Sequence, residues 1–428
     1  MARSTGESAS PLGDEPVNQQ PKPRVERTVS IDLLRGIVMV VMALDHARDF
    51  FDHTTFAPED LDKTTGVLFF TRWITHFCAP SFVFLAGTAA WLSRVNGKKS
   101  DGEIASFLWK RGLWLVFLEL TVVYFCWLFS PTYARGIILQ VIWAIGWSMV
   151  FLSLLVRLST RTIAFVGGAI VLLHNTLDSF HPGAGTLWQP LWELVHEPRF
   201  GLALGPIHYN ILYPLVPWVG VMALGYVFGS LYVGEDGTAR SREERSRLLL
   251  RIGLSVTAFF VVLRASNLYG DPNPWSARAT FGGTVMSFLN CQKYPPSLCY
   301  LTMTLGPAIT LLGLFDRGAS PRLGERGASP RLGLLAKPFV VFGRVPLFYY
   351  VLHLALLNAA SEVVYTEKTG TLMMSRQWYS DAEGLTVGLP LTYLTWIAAV
   401  VALYPLCLWF SRVKASPWGR ERAWLSYL

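Results

Sequence analysis

The sequence predicts an all-α, polytopic integral membrane protein, and three observations lead to this prediction. Of the 428 residues, 52% are apolar and 15% charged, with a mean hydropathy of +0.37, whereas soluble domains usually carry about a quarter charged residues. Runs almost free of charge, such as 113–129 and 211–233, are long enough to cross a bilayer. The basic residues cluster between these runs on alternate sides, as the positive-inside rule describes.

Taken in order, the apolar runs predict about ten transmembrane helices, at residues 31–51, 67–93, 112–129, 136–156, 162–176, 209–233, 248–266, 297–314, 338–361 and 386–411. Both termini are predicted to be cytoplasmic. Of the 37 Lys and Arg residues, 25 then fall in cytoplasmic segments, seven on the opposite face and five within or at the ends of spans. Because the membrane partition accounts for the net charge of +8, no nucleic-acid partner is expected.

The segments outside the spans predict the domain organisation. Residues 1–28 are rich in Pro, Ser, Gln and Glu and read as a disordered cytoplasmic tail. The transmembrane domain covers 29–412, and a second cytoplasmic tail covers 413–428. The stretch 316–337 contains the tandem repeat RGASPRLGE and RGASPRLGL, which indicates a flexible basic cytoplasmic loop.

A tryptophan-containing stripe lies in the first long outer loop, 177–208. Trp188 and Trp192 belong to it, together with apolar residues at helical spacing, and it predicts a short amphipathic helix. Interfacial anchoring is one interpretation of the two tryptophans. A stacking platform for a sugar acceptor is the other.

The histidines are the main indication of chemistry. On the predicted topology all eight lie in the outer half of the membrane or in outer loops, at positions 46, 53, 76, 174, 181, 196, 208 and 353. The densest group, LDHARDFFDH, contains Asp45, His46 and His53, and Arg72 and His76 open the second span one turn apart. A carboxylate next to a histidine suits general-base catalysis. The same group could supply zinc ligands, but no HExxH-like spacing is present and no metal is expected.

Charged residues inside spans indicate either function or pairing. Arg35 lies one turn into the first span, after Asp32 and Ser30, which could cap the helix, and Arg344 lies at similar depth in the ninth. Glu119 lies towards the middle of the third. One hypothesis pairs Glu119 with an arginine between helices. The other has Arg35 and Arg344 line an inward-facing cavity and bind an anionic group such as a nucleotide phosphate.

Four stretches resemble a known family: IDLLRGIVMVVMALDH (31–46), HFCAPSFVFLAG (76–87), KYPPSLCYLTMTLGP (293–307) and, less specifically, GRVPLFYYVLH (343–353). They are similar to the catalytic domain of heparan-alpha-glucosaminide N-acetyltransferase and its bacterial relatives. The resemblance implies a multi-span acyltransferase that moves acetyl groups from cytosolic acetyl-CoA to a sugar amine on the far side, here across a bacterial cytoplasmic (inner) membrane. The resemblance implies that His53 lies in the loop that carries the family's catalytic histidine. His46 and His76 fall at positions where the family has an asparagine and an aspartate, respectively.

The interpretation that follows is a transmembrane acyltransferase whose partners are the bilayer, an acyl-CoA and a carbohydrate acceptor. The CoA phosphates are expected at Arg35 and Arg344, and His46 or His53, oriented by Asp45, is the expected general base. The oxyanion is assigned to one of three side chains, namely His76, Arg72 or Lys293. Acceptor contacts are expected from Arg72, Lys293, Trp188 and Trp192.

The residues fit both direct acyl transfer to the acceptor and transfer through an acyl-histidine intermediate. For the oligomeric state, a homodimer is an open alternative. The rival function is a transporter or exporter of a sugar or lipid intermediate with the charged residues as a proton relay. A non-catalytic membrane scaffold is the third alternative.

Overall fold

The computed structural model describes residues 29–52, 54–130, 132–133, 136–183, 186, 188–204, 207–318, 330–369, 387–422 and 425. Its longer helices are α1 (Val29–Phe51), α3 (Cys78–Asn96), α4 (Asp101–Leu118), α6 (Val141–Leu155), α7 (Thr160–Leu173), α9 (Leu215–Phe228), α10 (Arg242–Ser266), α12 (Leu298–Gly318), α13 (Pro330–Arg344), α14 (Pro346–Thr369) and α15 (Leu389–Ala415). The shorter helices are α2 (Gly66–Trp73), α5 (Tyr124–Leu128), α8 (Gln189–Val195), α11 (Phe281–Leu289) and α16 (Pro417–Arg420).

Six helical stretches within these described residues are long and apolar enough to cross a membrane. They are Gly66–Asn96, Asp101–Leu128, Arg242–Ser266, Leu298–Gly318, Pro346–Glu367 and Leu389–Ala415, and each overlaps one of the ten predicted spans. The predicted first span is α1, which is 23 residues long but carries five charged side chains. The total of ten spans and the orientation of the termini stay predictions.

Three other predicted spans are shorter than expected. The α6, α7 and α9 helices contain 15, 14 and 14 residues, about 21–23 Å each, against a hydrocarbon core of about 30 Å. The segments before α6 and α9 are strands, β1 (Ile137–Leu139) and β3 (Ile207–Ile211), and β2 (Arg199–Leu204) completes a sheet in the order β1-β3-β2. β1 runs parallel to β3, and β2 runs antiparallel to it.

The protein is mostly helical, as predicted, and the small sheet corrects the predicted starts of the fourth and sixth spans. The residue before α9, Pro214, is the N-cap and has an extended backbone conformation. An earlier start of the helix would require Pro214 to leave that conformation. Strand pairing supplies hydrogen-bond partners to the backbone that precedes both helices.

The α1 helix lies at the centre of the bundle, where it packs on α3, α12, α13, α14 and α15. Its contact with α13 is a backbone contact: a Cβ atom on Gly36 would lie 1.7 Å from the carbonyl oxygen of Phe339, and one on Gly343 would lie 1.8 Å from that of Asp32. Small residues allow such close approach between membrane helices. The two glycines therefore place their neighbours Arg35 and Arg344 side by side.

The predicted ninth span is divided at Val345. Helix α13 ends at Arg344 and α14 begins at Pro346, where proline suits the first turn of a new helix. In the predicted loop 316–337, α12 continues to Gly318 and α13 begins at Pro330, and residues 319–329 lie outside the described part of the chain, as does the tail 1–28.

Candidate active site

The C-terminal turns of α1 meet α2 through an ion-pair network. Arg72 on α2 contacts both carboxylate oxygens of Asp45 through Nη1, at 2.7 and 2.6 Å, and Glu59 Oε1 through Nε, at 2.7 Å. Arg48 contacts Asp45 at 3.2 Å and also pairs with Asp49. Both guanidinium groups therefore pair with carboxylates. We call this end of the bundle, with His46, His76 and His353, the histidine end.

Glu59 joins this network to His76. Nε2 of His76 donates to Glu59 Oε1 at 3.4 Å, and the Tyr300 hydroxyl donates to the His76 backbone carbonyl at 2.9 Å. Burial alone would raise the pKa of Glu59, but the attraction of Arg72 and the hydrogen bond from His76 outweigh it and hold the pKa well below its usual range. Arg72 and His76 thus contact carboxylates in this structure, and their role in oxyanion stabilisation stays a prediction. Nothing in the linear sequence singles out Glu59.

His46 forms a pair with His353 on α14, 307 positions along the chain. Nδ1 of His46 lies 2.7 Å from Nε2 of His353, and Nδ1 of His353 lies 2.9 Å from the carbonyl oxygen of Tyr349. Because a carbonyl only accepts, the neutral His353 ring carries its proton on Nδ1 and accepts at Nε2. His46 then donates from Nδ1, and its Nε2 keeps a lone pair that has no hydrogen-bond partner among the described residues.

This pair corrects the prediction that Asp45 orients the general base. The oxygens of Asp45 contact Arg72 and Arg48, so His353 takes the orienting position at His46. Trp127 stands edge-on to the His46 ring at a centroid distance of 5.0 Å, and Tyr350 does so at 5.9 Å. His53, the other predicted base, lies outside the described residues.

Lys293, in the loop between α11 and α12, also belongs to the histidine end. It is 9% exposed, and its Nζ stands 5.1 Å from the centre of the Tyr294 ring. Its charge acts on Asp45, His46 and His76. Its ammonium group has neither a hydrogen-bond acceptor nor an ion-pair partner in the part of the chain that the structure describes.

The opposite end of α1, which we call the arginine end, brings Arg35 and Arg344 together around one carboxylate. Asp32 lies 3.7 Å from Arg35 Nη1 and 3.7 Å from Arg344 Nε. Arg35 also donates to the carbonyl oxygen of Gly343 at 3.3 Å. The Arg344 side chain is 44% exposed. The two guanidinium groups share contact with this carboxylate, and guanidinium groups suit an incoming anion.

Two smaller predictions at buried polar residues are corrected. Glu119 does not pair with either arginine: it starts a π-helical turn, Glu119–Val123, and its carboxylate accepts from the backbone N–H of Trp143 at 3.3 Å, in the first turn of α6. This arrangement satisfies N–H groups that a helix start leaves open. Ser30 lies within α1 and donates to Asp316 at 2.5 Å instead of capping the helix.

Trp192 lies on α8 and Trp188 is its N-cap residue, which confirms the predicted short helix. Trp188 is 69% exposed. Trp192 packs on Phe180 and His196, each at a centroid distance of 4.9 Å. The described ring contacts of Trp192 therefore do not join it to His46 or Arg72. No three His, Cys, Asp or Glu side chains form a metal-binding group among the residues with described positions.

Comparison with known proteins identifies the family. The model of the heparan-alpha-glucosaminide N-acetyltransferase catalytic domain matches residues 27–262, which include α1 to most of α10 and therefore His46, Arg72 and His76. Lys293 and His353 lie beyond the matched region. No curated protein matches the chain significantly. Because the family model covers more than half of the sequence, the chain belongs to the heparan-alpha-glucosaminide N-acetyltransferase catalytic-domain family, a family of membrane acetyltransferases.

Proposed function

We propose that this protein transfers an acyl group, acetyl in the simplest case, from an acyl-CoA to an amine or hydroxyl of a carbohydrate at the histidine end. The observation that carries the proposal is the His46–His353 pair, which leaves the lone pair of His46 Nε2 available. A positioned histidine that is neutral near neutral pH is the usual general base for such a reaction.

In the proposed reaction, Nε2 of His46 removes a proton from the acceptor as its nitrogen or oxygen attacks the thioester carbonyl. The tetrahedral intermediate then collapses: the new C–N or C–O bond stays, the C–S bond breaks, and the proton on His46 passes to the departing CoA thiolate. An acyl-His46 intermediate would use the same nitrogen. A burst of CoA release without acceptor would distinguish that route from direct transfer.

The donor is proposed to bind with its phosphates at the arginine end, at Arg35 and Arg344. The support for this assignment is the contact of both arginines with the Asp32 carboxylate, which brings their two guanidinium groups together. Arginine binds phosphate oxygens in a bidentate manner. The pantetheine arm would then run along α1 towards His46, with the arginine end facing the cytoplasm and the histidine end facing outward across a bacterial inner membrane.

The test is CoA release from acetyl-CoA by purified protein with candidate amino sugars. His46→Ala is expected to lower turnover by about two to four decades, the usual share of a positioned acid–base group. His181→Ala is the matched control, because the His181 side chain is 64% exposed and contacts Glu197. Movement of labelled sugar across proteoliposomes without CoA release would favour the transporter alternative instead.

A further inference from the structure

His174 is held between carbonyl oxygens on both sides of its ring. It begins the 3₁₀ turn His174–Leu177 that follows α7, and it is 2% exposed. Its Nδ1 lies 3.1 and 3.0 Å from the carbonyl oxygens of Ile170 and Val171, and its Nε2 lies 2.8 Å from that of Pro296. Carbonyl oxygens accept hydrogen bonds and cannot donate them. Both ring nitrogens therefore need a proton for these contacts to be hydrogen bonds.

The charge of His174 thus decides which contacts exist. A neutral imidazole carries one N–H and a protonated one carries two. Protonated His174 donates on both sides and ties the end of α7 to the loop between α11 and α12. In the neutral ring one lone pair faces a carbonyl oxygen, and the two repel each other. Because the α7 side offers two acceptors in the residue's own helix, we expect the neutral ring to keep its proton there and to lose the contact with Pro296.

The nearest charged groups pull the charge of His174 in opposite directions. Asp178 Oδ1 lies 3.0 Å from Nε2 of His196, and its Oδ2 accepts from Asn175 Nδ2 at 2.8 Å. The ring centres of His196 and His174 are 6.4 Å apart. The negative charge of Asp178 favours a proton on His174, whereas burial and a proton on His196 oppose it. Such a balance allows a histidine to change charge with pH.

The other elements around His174 bring further titratable groups. On the loop after α10, the Tyr269 hydroxyl donates to the carbonyl oxygen of Leu172 at 2.6 Å. Lys293 is the charged residue of the loop between α11 and α12, and its ammonium group stands 5.1 Å from the ring centre of the next residue. The α9 helix, which packs along α7, has no charged side chain. Asp178 is therefore the negative charge on which the state of His174 depends.

The loop that His174 contacts leads directly to the histidine end. The neighbour of His174 also holds it, since Asn175 Oδ1 accepts from the N–H of Leu298 at 2.8 Å, where α12 begins. The same loop carries Lys293, and the Tyr300 hydroxyl in the first turn of α12 donates to the carbonyl oxygen of His76 at 2.9 Å. Two adjacent residues at the end of α7 thus fix the segment that supports one side of the histidine end.

We propose that His174 is a pH-sensitive switch: with a proton on both ring nitrogens it holds the loop between α11 and α12 through Pro296, and loss of one proton to solvent releases that contact. The loop is then fixed at acidic pH and loosened at alkaline pH. In the proposed orientation, the switch responds to the pH on the outer side of the membrane. It is a property of the fold and does not depend on the proposed acyl transfer.

The test is hydrogen exchange of residues 291–300 in the purified full-length protein between about pH 5 and 8, where histidine changes charge. After correction for the intrinsic exchange rate, protection of the Leu298 N–H and its neighbours should fall by at least about tenfold from the acidic to the alkaline end, the equivalent of one hydrogen bond to a charged group. His174→Gln, which donates but does not titrate, should remove this pH dependence. His181→Gln is the matched control and should keep it, because the His181 side chain is 64% exposed.

A second variant decides the matter if His174→Gln does not fold. Asp178→Asn removes the negative charge that favours the proton on His174, so the transition should move to lower pH. Protection that is independent of pH in the wild type, a transition that persists in His174→Gln, or an unmoved transition in Asp178→Asn overturns the proposal. A profile that is flat in His196→Gln and unchanged in His174→Gln would assign the response to His196 and overturn it as well.

Discussion

Replacing His353 with leucine tests whether the His46–His353 pair sets the reactive nitrogen. His353 is fully buried and accepts the Nδ1 proton of His46 at 2.7 Å. A buried donor that loses its acceptor costs about 1–3 kcal/mol, and His46 can avoid this cost by moving its proton to Nε2. In that tautomer Nε2 carries the proton, so it has no lone pair with which to deprotonate the acyl acceptor. Because each 1.36 kcal/mol is a factor of ten, His353→Leu should lower kcat by about 5- to 150-fold.

The assay is steady-state CoA release, with acyl-CoA affinity measured by calorimetry on the same preparations. Affinity should be unchanged, because His353 is remote from the arginine end. His353→Gln should recover most of the lost turnover, since an amide oxygen can accept the Nδ1 proton, and a thermal midpoint near that of the wild type confirms that each variant is folded. Wild-type turnover in His353→Leu, in a protein that His46→Ala inactivates, would refute the tautomer argument.

Three further predictions concern the ends of the bundle and its orientation. Arg35→Ala and Arg344→Ala should each weaken acyl-CoA binding, with lysine at either position recovering only part of it because bidentate geometry is lost; unchanged affinity in calorimetry for both alanine variants would make the pair purely structural. The pKa of Glu59 is lowered on folding, so its stabilising contribution is complete above the ordinary value of 4.5 and declines as the pH falls below it. Glu59→Gln should therefore flatten the acid side of the thermal-midpoint profile, and an unaltered profile would contradict this. Alkaline phosphatase fused after Leu428 should be inactive and fused within 177–208 active, and the reverse pattern would exclude the proposed orientation.

The sequence predicts the long helices well because their signal is local. Hydropathy over about twenty residues identifies all six of the described stretches that can cross a membrane. Strands β1 and β3 are missed because each is a short segment just before an apolar helix, and in each case a single hydropathy run spans strand and helix. The break at Val345 is missed for a similar reason, since apolar residues continue on both sides of it.

The site is predicted only as far as its residues are close in sequence. Asp45, His46, Arg72 and His76 are correctly expected at one end of two neighbouring helices. Their partners are not, because the pairing of His46 with His353 joins positions 307 apart. Asp45 illustrates the consequence: adjacency in sequence suggests a bond to His46, but successive side chains on a helix point about 100° apart, and Asp45 faces Arg72.

The hydrogen-bond chain from His46 through His353 ends at the carbonyl oxygen of Tyr349, and a backbone carbonyl cannot take up a proton. A proton acquired by His46 therefore has no onward route through α14, and it must leave by the nitrogen at which it entered. In the proposed reaction the proton released by the acceptor accordingly returns to the departing thiolate within a single turnover. For an acceptor that binds uncharged, the proposed chemistry at this pair is electroneutral: it neither consumes nor depends on a proton gradient across the membrane, even though donor and acceptor are proposed to bind at opposite ends of the bundle.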